Sequence, residues 1–553
     1  MKKLFLLFIS LFFGGIIFSQ NTPSAGEIHG NFQANGQYYN PDASIGAPPV
    51  PEKTLIQGFS NLMYSTGNFT AGIRYETYQN PMQGYDPRYK GSGIPYRFAT
   101  YKLNELEVTI GNYYEQFGSG IVLRAYEEKG LGIDNVLDGM RVKFSSHGFY
   151  LKGLVGKQRS YWGQGAGLVR GFDGEVNLNE LFARPNDSTY QAPKTKITLG
   201  GSFVSKYQDG DQVTYQSSTL KVPQNVGASA GRIGISRGKV NITGEYVYKI
   251  NDPTAFNSYI YKPGDAMLIN ANYSQKGFGV YLGMKRIDNM SYKSDRNATA
   301  NDLNMNFIPS FTKQHTYSLL AFYPYATQPN GEINYQTEIL KKFKKGSALG
   351  GKYGTDITLN FSQVYALDTT RYSSLDSTRQ GYKSNYFGMG KRKYYSDFNV
   401  EISKKLSPKM KMLVIYANQD YNKDVIQGES GFGAFIANTG LVELTYHMNG
   451  AKSLRMELQH LYTKEDFKNW AMVLLEYGAG EHFLISAFDQ YNYGNDIEAD
   501  RIHYYTAAVT YLKDATRISI GYGKQRAGIF CVGGVCRYVP ASNGLSIAIT
   551  TTF

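Results

Sequence analysis

The stretch Leu545 to Phe553, LSIAITTTF, sets Leu545, Ile547, Ile549, Thr551 and Phe553 on one face of an extended strand and Ser546, Ala548, Thr550 and Thr552 on the other. The same period of two recurs upstream. In Lys239 to Ile250, KVNITGEYVYKI, the residues Val240, Ile242, Tyr246, Tyr248 and Ile250 face away from Asn241, Thr243, Glu245 and Lys249. Phe278, Val280, Leu282 and Met284 repeat the pattern, as do Phe398, Val400 and Ile402, and Leu454, Met456 and Leu458. One face is apolar or aromatic, and the other carries charge, hydroxyls and glycine. A soluble sandwich turns such an apolar face into a core. A membrane barrel turns it to lipid and lines its lumen with the polar face.

Three features select the barrel. Tight turns fall on alternate connections, at 145–148, 236–239, 274–277, 406–409, 449–452 and 478–481, with long polar loops such as 288–302 and 368–393 between them. Short periplasmic turns and long extracellular loops are the asymmetry of outer-membrane barrels. Tyrosine, at 47 residues, is heavily used near strand ends, where an amphipathic ring suits the lipid–water interface. The chain also ends on an aromatic residue, Phe553, the form of C-terminal signal read by the barrel-assembly machinery. The expected fold is therefore all-β, a transmembrane antiparallel outer-membrane β-barrel of about 22–26 strands. A backward count from Phe553 gives about 26, firm in the C-terminal half and soft before residue 230.

Met1 to Gln20, MKKLFLLFISLFFGGIIFSQ, reads as a signal peptide: Lys2 and Lys3 precede an apolar run from Leu4 to Phe18 that is too short to span a bilayer as a helix. Residues 21–53 are expected to be an N-terminal arm or first strand, and 54–553 the barrel. Export to the outer membrane makes nucleic acid the least suitable partner for a formal charge of +13. It leaves membrane lipid, lipopolysaccharide, and a solute or protein partner. Lys391-Arg392-Lys393 and Lys293 with Arg296 are candidates for contacts to lipopolysaccharide phosphates at the outer rim.

Two cysteines, Cys531 and Cys536, flank Val532-Gly533-Gly534-Val535 in the outward loop of the last hairpin. A disulfide stapling the rim is expected, worth only about 2 kcal/mol for so short a loop. The densest polar stretch, Gly111 to Arg159, brings Arg124, Glu127, Glu128, Asp134, Asp138, Arg141 and Arg159 into a few consecutive strands. It reads either as a lumen constriction with opposed charges or as cross-strand ion pairs filling the wall. The seven histidines are scattered without metal-ligand spacing or a nucleophile partner, so neither catalysis nor a metal is expected, and no cofactor. Gly163-Gln164-Gly165-Ala166-Gly167 looks like part of a phosphate loop, but no helix follows to receive a phosphate.

The runs GNYYEQFGSGIVLRAYEEKGLGIDNVLDGMRVKF and CVGGVCRYVPA resemble an uncharacterised family of outer-membrane proteins from Bacteroidota. The resemblance implies an outer-membrane barrel and carries over no functional residue, because that family has no established activity.

The leading expectation is a porin-like channel or binding barrel for solute passage. The alternative is a structural or interaction component of a secretion, assembly or surface-glycan complex with an occluded lumen. An energised importer would need a folded plug domain ahead of the barrel, and residues 21–53 are too short for one. A wall of this size is too wide for its own side chains to fill. Inward-folded loops such as 288–302 or 368–393, the N-terminal arm, or a partner must therefore occupy it.

Overall fold

The computed structural model describes residues 26–183, 193–373 and 378–553, so the signal-peptide segment lies outside the described residues. Among the described residues, twenty-four strands pair antiparallel in one sheet. The first, Glu27–Tyr39, pairs with the last, Ser542–Thr552, from Asn31 opposite Thr552 to Tyr39 opposite Gly544, and this seam closes the barrel. The wall thus begins inside the segment 21–53. The count falls within 22–26 and is two short of the backward count. Residues 289–330, long enough for two strands, leave the wall after Phe278–Asp288 and return only at Gly331–Phe343.

The faces are inverted as the alternation requires. Ile242 and Tyr246 are 43% and 45% exposed, while Glu245 and Lys249 on the opposite face are 8% and 0% exposed. The six tight turns lie at the end shared by Glu27 and Thr552, and the connections 114–136, 289–330 and 526–541 lie at the other. The exposed apolar belt requires lipid around it, and a closed antiparallel barrel of this asymmetry belongs in the outer membrane.

Three of the long connections turn inward. Residues 114–136 carry two short hairpins, Gln116–Phe117 with Leu123–Arg124 and Glu127–Glu128 with Ile133–Asp134. Residues 289–330 cross the lumen. Residues 526–541 carry the hairpin Gly528–Val532 with Val535–Val539. Phe117, Ile121, Met290, Tyr292 and Met305 are fully buried against inward wall residues such as Val169, Val204, Val247 and Ile287. Leu319 and Tyr323 pack in a second cluster on Val364, Tyr395, Tyr421 and Trp470. Each such side chain contributes about 1.5–3 kcal/mol on burial. The inserted segments thus pack against the wall in the outer half of the lumen, whereas Asn241 and Thr243, nearer the periplasmic end, stay exposed.

The loop 288–302 folds inward as expected, as part of a longer segment. The loop 368–393 does not. There the strands Thr355–Arg371 and Tyr382–Lys405 pair only with each other above Tyr365 and Tyr395, and the extension rests on the strand Phe278–Asp288 through Tyr382 and Ser384, which donate to Asp288, leaving Phe387 85% exposed. The glycine run at 163–167 belongs to the wall strand Gly163–Asn177. A Cβ on Gly167 would lie 1.9 Å from the carbonyl oxygen of Ser294, so only glycine lets the inserted backbone come this close.

Candidate functional site

The inward segment 114–136 is fastened to the wall by buried charges. Arg74, on the strand Phe69–Asn80, pairs with Glu76 at 2.8 Å, Glu127 at 2.9 Å and Asp134 at 2.8 Å. Arg159 grips Glu76 with two hydrogen bonds and reaches Asp134 at 2.6 Å, and Tyr114 donates to the same Asp134. Burial pushes the Glu127 carboxyl upward, against the pull of Arg74. The carboxylates of Glu76, Glu127 and Asp134 are close enough to share a metal ion, but two guanidiniums already occupy the space between them.

Of the residues singled out in the sequence, Glu127, Asp134 and Arg159 meet here. Arg141 bonds Glu107 and Glu115 beside them, and Asp138 accepts from Arg97 and Gln164. Glu128 caps the turn at Gly130, and Arg124 lies over the rings of Tyr126 and Phe307 with no carboxylate partner among the described residues. Arg74 and Glu76, the centre of the lattice, lie outside the polar stretch that the sequence singles out. Their signal is the alternation of Ile73 and Tyr75, both exposed, with Arg74 and Glu76, both buried.

Three wall lysines hold the backbone of 289–330. Lys206 donates to the carbonyl of Lys293 at 2.7 Å, Lys249 to that of Ser291 at 2.5 Å, and Lys285 to that of Pro309 at 2.5 Å. On the opposite wall Gln459 accepts from the Leu319 N–H at 2.9 Å, and Glu443 accepts from Tyr317. His315 sits 2.6 Å from Asp397, to which Tyr395 and Asn399 also donate. Lys293 and Arg296 are not free to meet lipopolysaccharide phosphates. Both are buried, Lys293 donating to the carbonyls of Ala300 and Asp302, and Arg296 to those of Gln208 and Gly210. Burial draws the Lys293 ammonium down to about 8.

Cys531 and Cys536 form a disulfide, and Gly533 and Gly534, at φ 59° and 89°, make the two-residue turn between its strands. The hairpin does not staple the rim but lies on the inserted segments. Gly534 accepts from the Thr327 N–H at 2.9 Å, Cys536 from Asn301 at 2.8 Å, and Arg537 donates to Gly130 at 2.8 Å. On one side is an outer cavity of about 940 Å³, reaching the loop residues Lys423, Glu429 and Phe467. On the other is an inner cavity of about 1090 Å³, reaching wall residues Gln57, Gln490, Ser519 and Ala548. Arg526, Gly528, Ile529, Gly534 and Arg537 border both.

Residues 1–553 match a protein family described as a family of unknown function (DUF6029). The chain belongs to this family. No curated protein matches its sequence. Solved structures similar to this DUF6029 member include the P pilus usher PapC translocation pore, at 9% identity and TM-score 0.42 over 95% of this chain and 99% of that one. The ferric enterobactin receptor PfeA from Pseudomonas aeruginosa is similar at 12% identity and TM-score 0.42, over 96% and 82%. OccAB4 from Acinetobacter baumannii is similar at 10% identity and TM-score 0.33, over 95% and 98%. Likenesses this distant carry no function across, and the fold stands on the strand pairing itself.

Proposed function

We propose that the protein is a constricted channel that passes a solute across the outer membrane. The observation that carries this reading is the pair of solute-sized cavities that the inserted segments leave open, which meet at Gly528, Ile529, Gly534 and Arg537 of one hairpin. In this reading Glu127, Asp134, Arg141 and Arg159 hold the inward segment in place, and the hairpin Gly528–Val539 is the narrowest partition. Biogenesis follows the same logic. Met1 to Gln20 directs export, and Phe553 presents the chain to the barrel-assembly machinery of a Bacteroidota cell. No catalytic role is assigned to any residue.

The other reading, a component of a surface or secretion complex, draws support from the extended strand pair and its exposed Phe387. Planar-bilayer conductance separates the two. The channel reading expects small or brief conductance from the intact barrel and steady nanosiemens steps once residues 528–539 are replaced by a short Gly-Ser link. A shortened barrel that is folded by its heat-dependent gel shift, yet silent, overturns it.

A further inference from the structure

The inner cavity has an unusual balance of charge. Lys313, Lys524, Arg526 and Arg537 border it, and among the described residues no aspartate or glutamate does. Two of these cations are neutralised from behind: Lys313 by Glu338 and Glu401 at 3.4 and 3.3 Å, and Lys524 by Asp42 at 2.7 Å. The other two have no carboxylate within ion-pair reach among the described residues. Arg526 lies over the ring of Phe322 at 3.7 Å and hydrogen-bonds only the carbonyl of Ala527. Arg537 lies over Tyr85 at 4.4 Å, spends its Nε on Gly130, and leaves Nη1 buried without an acceptor. Burial lowers both guanidinium values, and at Arg526 it outweighs the pull of Asp466, which lies beyond ion-pair distance. The remaining surface offers neutral donors and acceptors, including Gln37, Gln57, Gln314 and Gln490, with Tyr325 and Tyr504 as flat faces.

We propose that the inner cavity is a binding site for a small polyhydroxylated anion, of the sugar-acid or sugar-phosphate kind, with Arg526 and Arg537 as its anion-binding groups. Both arginines also border the outer cavity, so they stand where an anion would cross the partition. A guanidinium presents its N–H groups in a planar fork that fits a carboxylate or phosphate. The amides and hydroxyls suit sugar hydroxyls, and the rings suit the C–H faces of a sugar.

The inference names the solute class of the proposed channel and rests on that reading, but its test is equilibrium binding rather than passage. Calorimetry of the detergent-folded barrel compares gluconate, glucose 6-phosphate, glucose and glucosamine. Saturable binding of at least one anion is expected, with glucose and glucosamine at least tenfold weaker. Arg526→Gln and Arg537→Gln are each expected to weaken the anion tenfold or more, with Arg526→Lys retaining part of the affinity. Gluconate binding alone would identify a sugar acid, and glucose 6-phosphate alone a sugar phosphate. Equal affinity for glucose and the anions, or no saturable anion binding by the wild-type barrel, overturns the proposal whether or not the variants fold. A barrel that conducts but does not bind anions loses this inference alone. One that binds anions but never conducts loses the channel.

Discussion

Arg159 and Glu76, 83 positions apart in the chain, meet inside the lumen in a two-pronged ion pair, Nη1 to Oε1 at 3.0 Å and Nη2 to Oε2 at 2.7 Å. Both are almost fully buried, and Asp134 of an inward segment closes on the same guanidinium. Removing Arg159 leaves the buried carboxylates of Glu76 and Asp134 to share Arg74 with Glu127, three acids against one guanidinium in a poorly solvated place. Arg159→Met is expected to lower the unfolding free energy in urea by about 3 kcal/mol. Arg97→Ala, which removes an exposed arginine from Asp138, is expected to cost under about 1 kcal/mol. Equal losses would show that burial of the lattice is not what matters.

Gly167 tests the fit between wall and insert. A side chain there must displace the backbone at Ser294 or bend the strand. Gly167→Val is expected to cost about 1–3 kcal/mol and to expose residues near 294 to added protease while the barrel stays folded. An insert as resistant as in the wild type would mean that the close approach has no consequence.

Lys293 gives a pH signature. Its folded value of about 8 lies below the usual lysine value of 10.5, so the buried cation costs stability below pH 8. Between pH 8 and 10.5 the unfolded chain holds a proton that the folded chain has lost, and stability rises with pH. The gain is on the order of 3 kcal/mol across the window. Thermal midpoints at pH 7.5 and 9.5 should show a smaller rise in Lys293→Met than in the wild type. Identical slopes would remove Lys293 from the account.

The disulfide separates local from global effects. Cys531→Ser with Cys536→Ser is expected to change global stability by no more than about 2 kcal/mol. The same variant should raise the frequency of channel openings, because the hairpin divides the two cavities. Unchanged gating would place the partition elsewhere.

Period-two alternation made the wall legible, since Ile242 against Glu245 records which face meets lipid. The interior was harder to read. Val247 lies inward between Glu245 and Lys249, and its apolar character has meaning only once Tyr292 is known to pack near it. Lys293 and Arg296 read as rim charges because sequence shows charge and not depth. The cysteines announced their bond, but nothing in CVGGVC says that the hairpin lies over a lumen. Arg74 and Glu76 stand in plain alternation, yet their partners come from the inward segment 114–136 and from Arg159 on a strand four places further round the wall.

The seam between Glu27–Tyr39 and Ser542–Thr552 joins positions more than 500 residues apart, such as Asn31 and Thr552. Until the final strand arrives, the first has an unpaired edge, and an open edge invites pairing with the wrong chain. Contacts of such separation also form slowly. The ring therefore cannot be sealed piecemeal as the chain emerges. Its earliest strand must be kept apart from other chains until its latest one is delivered, and assembly is a problem of custody before it is one of stability.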